Sequence, residues 1–478
     1  MDSILVVVTL YLVQFGLIAR ALLREALAPP VRLAWVMVIA ALPVVGILAY
    51  LLFGEIRVRR AKAQRMREVR HQLIAAWGRD EVLPPLPPAA DPAFAAGQAT
   101  GGMPPVEGNR ALLLPEGDAM MDDVIDHIDA ARDHVHVLFY IWLPDNTGAR
   151  MARALIRAAR RGVACRVLVD DLGSRALVRS SLWPDMIGAG VNLVRAFPLG
   201  NPFIKLLFER MDVRNHRKIV VIDNRVTWCG SRNCADAAFL VKAKYAPWVD
   251  VLLRFEGPVV RQNQAVFLQD WMTYQHEDLS ALLADAPEAG PEAGEGGFTA
   301  QVIASGPDQS LTGLSETMCA MMYGARERLT VTTPYYVPNI ALHTALCAAG
   351  MRGVEVTLIV PARNDSRIVA AASESLYSGL LESGVRIMAF DDGVIHSKIM
   401  TVDGRLTLVG SANVDHRSFD LNYENNILLD CPRTTAELDE RQQSYVARAQ
   451  EITLEDVTGW SIPRRVRNNM VALASPLL

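Results

Sequence analysis

Residues 216–233 read "HRKIVVIDNRVTWCGSRN", and residues 396–413 say nearly the same thing as "HSKIMTVDGRLTLVGSAN". The copies agree at His216 and His396, Lys218 and Lys398, Asp223 and Asp403, Gly230 and Gly410, Ser231 and Ser411, and Asn233 and Asn413. A single H-x-K carries no information. Six matching polar or glycine positions do, because a repeat kept only for packing would match chiefly in its apolar residues. The fold must therefore supply two equivalent half-sites.

Residues two apart on a strand face the same way, so each histidine shares a side with its lysine. The aspartate, seven positions after the histidine, has the opposite parity and opens "DN" or "DG" between two apolar runs, the mark of a tight hairpin turn. Asp223 and Asp403 thus belong to the repeated set from which catalytic groups are drawn, yet turn chemistry alone accounts for them. Each hairpin is followed by G-S-x-N, where Ser231, Asn233, Ser411 and Asn413 can offer side chains to an anion. His, Lys and Asn on one face can grip the non-bridging oxygens of a phosphate.

One copy supplies one imidazole, whereas displacement at phosphorus by a covalent route needs two. A neutral ring must attack the phosphorus, and a protonated one must hand a proton to the leaving alkoxide. Two half-sites facing each other supply both. Lys218 and Lys398 would then carry the charge that metal ions carry in other phosphoryl-transfer sites.

The same duplication runs outward from the motif. "HVHVLFYIW", "MARALIRAARRG", "VACRVLVDD" and "VNLVRAF" precede His216 in the order strand, helix, strand, strand, with a helical stretch between the last two. "RLTVTTPYYV", "ALHTALCAAGMRG", "VEVTLIVPA" and "VRIMAF" precede His396 in the same order. Such alternation predicts an α/β protein with βαβ units and a mostly parallel central sheet flanked by helices in each of two lobes, related by a pseudo-two-fold axis. Two Pro/Gly/Ala-rich breaks, at 83–105 and 284–297, read as linkers. They divide the chain into a first lobe at 108–283, a linker at 284–297 and a second lobe at 298–478.

Ahead of the lobes stand two uncharged apolar stretches, 3–19 and 33–54, each near the roughly 20 residues a helix needs to cross a bilayer. They predict a transmembrane hairpin over 1–56, with Pro43 tolerated inside the second helix. Arg20, Arg24 and Arg32 lie between the stretches, and Arg57, Arg59, Arg60, Lys62, Arg65, Arg67 and Arg70 follow the second. Seven against three puts the large domain, and with it both termini, on the cytoplasmic side of a multi-pass membrane protein. The basic segment within 57–107 reads equally as a solvated helix face or as a strip lying on anionic headgroups.

Composition excludes other classes. With 48 basic and 52 acidic residues in 478, a surface built for nucleic acid is not expected. Six scattered cysteines, Cys165, Cys229, Cys234, Cys319, Cys347 and Cys431, form neither a CxxC pair nor a cluster with histidine, so neither a disulfide framework, a metal site nor a cofactor is expected.

The duplicated H-x-K-x4-D motif resembles that of the phospholipase D superfamily. The stretches "LAWVMVIAALPVVGILAYLLFGE", "RNHRKIVVID", "VDVLLRFEGPVVRQNQAVFLQDW", "TPYYVP", "HSKIMTVDG", "GSANVDHRSFDLNYE" and "SPLL" extend the likeness over nearly the whole chain, toward the bacterial cardiolipin synthases. The resemblance implies a two-lobed fold with its site between the lobes and a phosphatidyl-histidine intermediate. It also implies His216 as nucleophile and His396 as general acid and then base, an order that nothing in the repeat itself dictates. It further implies a carboxylate orienting each ring, at Glu424 in "NYENN" and Asp250 in "PWVDV". The implied reaction, in the bacterial inner membrane, passes the phosphatidyl group of one phosphatidylglycerol to another with release of glycerol. Hydrolysis in the phospholipase D manner, or a donor such as phosphatidylethanolamine, are the alternatives. Two departures from the usual motif stand out, Asn224 in place of Gly and Arg232 within "GSRN", the latter adding a cation near the expected site.

Overall fold

The computed structural model describes residues 2–24, 29–55, 60–77, 86, 90–198, 210, 212–284, 297–307 and 313–473. The described chain divides into two compact units, an N-terminal one holding the chain through Ala63 together with Arg210, Asp212 and Val213, and a larger one holding Gln64–Pro198 and the described chain from Arg214 onward. The linker at 284–297 falls almost wholly outside the described residues, as do Arg57, Arg59 and the closing "SPLL".

The N-terminal unit consists of α1 (Asp2–Leu22), α2 (Pro29–Ala41) and α3 (Pro43–Phe53). Among the described residues, α1 is the helix long and apolar enough to cross a membrane. The second apolar stretch, expected as one spanning helix, is two. Proline has no N–H to give the carbonyl four residues back, and its ring crowds that carbonyl. Helical geometry accordingly fails at Leu42 (φ −128°, ψ 76°), and a new helix starts with Pro43 in its first turn.

In the larger unit the first lobe contributes β1 (Val106–Leu113), β2 (His134–Phe139), β3 (Ala164–Asp170), β4 (Asn192–Ala196), β5 (Arg214–Asn215), β6 (Lys218–Ile222), β7 (Val226–Gly230), β8 (Trp248–Val249) and β9 (Leu252–Glu256). The second contributes β10 (Phe298–Ser305), β11 (Arg328–Thr332), β12 (Tyr336–Val337), β13 (Glu355–Pro361), β14 (Val385–Phe390), β15 (Val394–Ile395), β16 (Ile399–Val402), β17 (Leu406–Gly410), β18 (Val414–Asp415), β19 (Asn422–Asp430) and β20 (Ala449–Ile452). The order from β1 outward is β1-β9-β7-β6-β2-β3-β4, and from β10 outward β10-β19-β17-β16-β11-β13-β14-β20. The halves repeat one another through seven strands, with β20 an added edge strand in the second, and β1 pairs antiparallel with β10, so a single sheet runs through both lobes.

This corrects the expectation of mostly parallel sheets. Along the two strand orders just given, only β2-β3-β4 and β11-β13-β14, the strands joined through helices, are parallel, and the other neighbours run antiparallel; the two-residue strands pair in parallel off that path, β5 with β19, β15 with β8 and β12 with β18. Strands buried on both faces read as continuous apolar runs whichever way they pair, so composition could not tell the two apart.

Helices cover both faces of the sheet. The helix Asn146–Arg160 is started by Asp145, whose carboxylate accepts the Gly148 N–H at 3.0 Å, and buries Met151, Leu155 and Ala158 at helical spacing. Between the lobes, the helix Val259–Tyr274 drives Phe267 and Trp271 into a core shared with Ile219, Val221, Ile399 and Ile427. Part of the stretch read as a linker is also helical: Asp91–Gly101 has proline in its first turn and buries Ala93 and Phe94 against the second lobe's core. The basic segment forms the helix Arg60–Trp77, with Val69 and Leu73 buried in the shared core.

Candidate active site

Each histidine stands where its strand hairpin begins, and a short strand just before it leaves its own lobe. β5, ending at Asn215, pairs in parallel with Asn422 and Tyr423 at the start of β19. β15, ending at Ile395, pairs in parallel with β8. His216 N–H donates to the Tyr423 carbonyl at 2.9 Å, and His396 N–H to the Val249 carbonyl at 2.8 Å. The residue after each of those carbonyls is a carboxylate. His216 Nδ1 thereby lies 2.9 Å from both oxygens of Glu424, and His396 Nδ1 2.5 Å from Asp250 Oδ1. Each imidazole is oriented by the opposite lobe.

Ionised carboxylates can only accept, so each Nδ1 carries its proton and each Nε2 keeps a free lone pair. Ser231 Oγ donates to Asp250 at 2.6 Å, and Ser411 Oγ to Glu424. This corrects the reading of Ser231 and Ser411 as phosphate ligands: each hydroxyl has one proton, spends it on a carboxylate, and is fully buried. Asn233 Oδ1 accepts the Ile141 N–H at 3.2 Å, and Asn413 Nδ2 donates to Asp415 at 3.3 Å. Asn413 Oδ1 is buried without a hydrogen-bond partner.

Lys218 and Lys398, both nearly inaccessible, each donate one Nζ hydrogen to the carbonyl of the histidine two residues before, at 2.6 and 2.5 Å. Two ammonium groups and two carboxylates in one buried cluster balance in charge. Burial pushes both histidines down to about 4, helped by Lys218 and Lys398 and opposed by Glu424 and Asp250. Burial likewise lowers Lys218 to about 8 and Lys398 to about 7. The two carboxylates move the other way from what burial alone would do, held below their ordinary values by the histidines and lysines beside them. Below about pH 7 the free site thus holds two neutral imidazoles beside two cations, and near neutrality Lys398 begins to give up its proton.

The structure does not bring Asp223 and Asp403 to this cluster. They occupy the far ends of β6 and β16, roughly 16 Å of strand from the lysines. Asp223 (φ 52°) and Asn224 (φ 53°) form a left-handed pair, matched by Asp403 (φ 50°) and Gly404 (φ 62°), the conformation of a primed hairpin turn. Asp223 accepts the backbone N–H groups of Arg132, Asp133 and His134 at 2.8–2.9 Å, and Asp403 those of Arg326, Glu327 and Arg328 at the same distances. Their inclusion in a catalytic set is corrected on that geometry: they tie each hairpin to the strand beside it.

Arg232 is buried, donating to Asp118 and to the Ala235 carbonyl at 2.6 Å, and its NH1 lies 3.8 Å from Asp250. Glu424 has no counterpart to it, since Ala412 stands at the matching position. Two aromatic residues that the motif did not point to flank the rings. Tyr140 meets His216 edge-on at 4.9 Å, and Trp248 meets His396 at 4.7 Å, its Nε1 buried and without a partner. Trp248 precedes Asp250 by two, as Asn422 precedes Glu424, so strand parity from the carboxylates was the available signal. Among the described residues, no group of three or more His, Cys, Asp or Glu side chains is disposed to hold a metal ion.

Comparison with known proteins adds to this geometry. A family model described as "Cardiolipin synthase, PLD-like domain" matches residues 124–271 and again 318–445, and one described as "Phospholipase_D-nuclease N-terminal" matches residues 4–55. A protein named cardiolipin synthase A from Serratia proteamaculans is 36% identical over 491 residues, covering 100% of this chain and 98% of its own. Its namesake from Yersinia pseudotuberculosis is 37% identical over 480 residues, covering 97% and 96%. Among solved structures, phosphatidylserine synthase from Haemophilus influenzae superposes with a TM-score of 0.58 at 15% identity, over 81% of this chain and all of its own, a likeness of fold.

Proposed function

The chain belongs to the cardiolipin synthase family of phospholipase D-like proteins, and from that premise we propose that it is a phosphatidyltransferase joining two phosphatidylglycerol molecules into cardiolipin with release of glycerol. The observation that carries the reading is the pair of buried neutral imidazoles, each held by a carboxylate of the other lobe. A two-step displacement through a covalent phosphoryl-histidine needs two rings, one that attacks as it stands and one that first takes up the proton it must deliver.

The roles assign as follows. His216 Nε2 attacks the phosphorus of the first lipid, forming a P–N bond, while His396 delivers the proton that leaves with glycerol. His396 Nε2 then takes a proton from the hydroxyl of the second lipid as its oxygen displaces His216. The phosphodiester anion lies against Lys218 and Lys398, and its negative charge favours the proton that His396 must carry. Asn233 and Asn413 contribute amide contacts to the same anion. One phosphodiester replaces another, so no nucleotide is consumed.

What supports this order of the histidines is Arg232. It shares the charge of Asp250, so Asp250 holds a proton on His396 less firmly than Glu424 would, which suits an acid that must let go. Glu424 is braced by the neutral donors Ser411 and Asn422 and keeps its full charge for the cationic phosphoryl-imidazole on His216. Asp223 and Asp403 act on the site only through the hairpins they hold. We take the lobes as 108–283 and 298–478, with their shared site on the cytoplasmic side of the bacterial cell membrane, because basic residues crowd the segment after the apolar stretches. Lipid substrates give such an anchored enzyme its reason to be anchored.

Labelled phosphatidylglycerol incubated with the purified protein in detergent should yield cardiolipin and glycerol in equal amounts. Phosphatidic acid as the sole lipid product would make the protein a hydrolase, and headgroup exchange only with phosphatidylethanolamine would change its donor.

A further inference from the structure

We propose that residues 2–55 cross the bilayer once, through α1, and that α2 and α3 form a re-entrant helical hairpin that enters and leaves by the membrane face at which α1 ends. Residues 2 and 55 then lie on opposite sides. The inference rests on the reading of this unit as membrane-embedded and is independent of the catalytic roles assigned above.

The two short helices fold back on each other about the Leu42–Pro43 bond. Trp35 and Tyr50, seven residues before Leu42 and seven after Pro43, meet edge-on at 5.4 Å. Three residues out on either side are Ile39 and Gly46. A Cβ on Gly46 would fall 2.3 Å from the Val38 carbonyl oxygen and 2.8 Å from Ile39 Cα, so the crossing is closed to any other residue. With 13 and 11 residues, α2 and α3 are about 20 and 17 Å long, each too short for a hydrocarbon core of about 30 Å; the 21 residues of α1 reach that length.

The tip of the hairpin is at the depth of α1's interior. Gln14 donates to the carbonyls of Ile39 at 2.8 Å and Ala40 at 3.2 Å. In an unbroken helix those oxygens would be met by the N–H groups of residues 43 and 44, but residue 43 is proline and the helix has ended. A backbone carbonyl cannot be left unpaired in lipid, and a glutamine in an apolar helix answers that need. Leu42, Val44 and Val45 at the tip are more than half exposed and carry nothing polar, as suits a turn that stays in hydrocarbon instead of emerging into water.

The open end of the hairpin meets the end of α1, not its beginning. Glu55 accepts from Arg20 at 2.5 and 2.8 Å, from Arg24 at 2.6 Å and from Tyr50 Oη at 3.0 Å. Two spanning helices would have brought residue 55 back to the start of α1. The charges agree. With a re-entrant hairpin, Arg20, Arg24 and Arg32 join the seven basic residues at 57–70 on one face, whereas two spans would divide the same cations seven to three.

Labelling decides between the arrangements. Ser3→Cys and Leu23→Cys, at the two ends of α1, are made singly in the full-length protein, and spheroplasts are treated with a membrane-impermeant maleimide before or after permeabilisation. Peptide mass spectrometry reads each position apart from the six native cysteines, and cardiolipin formed by the same membranes reports that each variant is folded. The re-entrant hairpin requires residue 3 to be modified at least tenfold more than residue 23 in intact spheroplasts, with residue 23 reacting once they are permeabilised. Modification of residue 23 from outside, or protection of residue 3, overturns it. If the chain is then also released by alkaline carbonate, the membrane reading falls with it; if the chain is retained, the re-entrant hairpin alone is wrong.

Discussion

Glu424 lies 2.9 Å from the Nδ1 of His216 although 208 residues of chain separate them, and Asp250 stands in the same relation to His396 across 146. The exchange follows from two two-residue strands, β5 and β15, that leave their own lobes to pair beside the other lobe's carboxylate. Neither lobe therefore contains a complete histidine–carboxylate unit. Duplication without exchange would have left two separate half-sites; exchange makes them one.

Replacing Glu424 with Gln tests the consequence. The amide can donate to Nδ1, which moves the imidazole proton to Nε2 and removes the attacking lone pair. We expect kcat to fall by about 10³ to 10⁴, the scale of loss when a buried carboxylate that fixes a catalytic tautomer is made an amide, with near-native thermal unfolding. Asp250→Asn should do the same for acid–base transfer through His396. Single-turnover assays separate them: trapped phosphatidyl-enzyme should vanish in Glu424→Gln.

The pH dependence follows from the shifts. As pH falls toward about 4, the depressed histidines gain protons and the nucleophile disappears. As pH rises through about 7 and then 8, Lys398 and Lys218 lose theirs and the anion loses its cations. Because His396 must carry a proton while His216 is neutral, the profile of kcat/KM should be a narrow bell centred at about 4, falling on the alkaline side and more steeply once the lysines titrate. In the profile of kcat the alkaline limb should move to higher pH, because a bound phosphodiester holds both lysines charged. An alkaline limb near 10, the range of an ordinary lysine, would show that burial does not set these charges.

Much of this site was legible in the residues. The doubled motif announced two half-sites, the parity of His and Lys put them on one face, and the DN and DG pairs announced the turns. The exchange was not legible, because β5, β8 and β15 are two residues long and leave no periodicity to read. Strand direction was hidden for a related reason: βαβ alternation speaks only for β2–β4 and β11–β14, and the buried remainder reads alike in either direction. Proline misled in both senses. Pro43 was granted a place inside a helix that it breaks, and Pro92 helped mark as linker a segment whose alanines make a helix.

Asp223→Ala should harm the fold and spare the chemistry. The change leaves three backbone N–H groups without their acceptor and puts alanine at φ 52°, a conformation that costs roughly 1 kcal/mol for a residue with no side-chain polar group. With the charged hydrogen bonds included, a loss of about 2 to 4 kcal/mol is expected. Denaturant unfolding should show it, while transfer per folded molecule stays within about twofold of the parent, a margin well under the tenfold that 1.4 kcal/mol of barrier would bring. A hundredfold loss of kcat in a variant unfolding at the parent's midpoint would return the aspartate to the reacting set.

Trp248→Phe separates substrate contact from packing by the sign of two effects. The indole lies 4.7 Å from His396 and 4.2 Å from Phe239, and phenylalanine keeps a ring in that stack. What it removes is an N–H that is buried and unpaired in the free protein. Losing an unmet donor should leave stability unchanged or raise it slightly, since a buried group without a partner carries a desolvation cost. If that N–H finds its acceptor on the incoming lipid, as a phosphate oxygen or the attacking hydroxyl, kcat/KM should fall by about tenfold, one hydrogen bond's worth, while thermal stability holds or rises. Unchanged kcat/KM would confine Trp248 to packing against His396, and a matching loss of stability would mean that the N–H is paired within the protein.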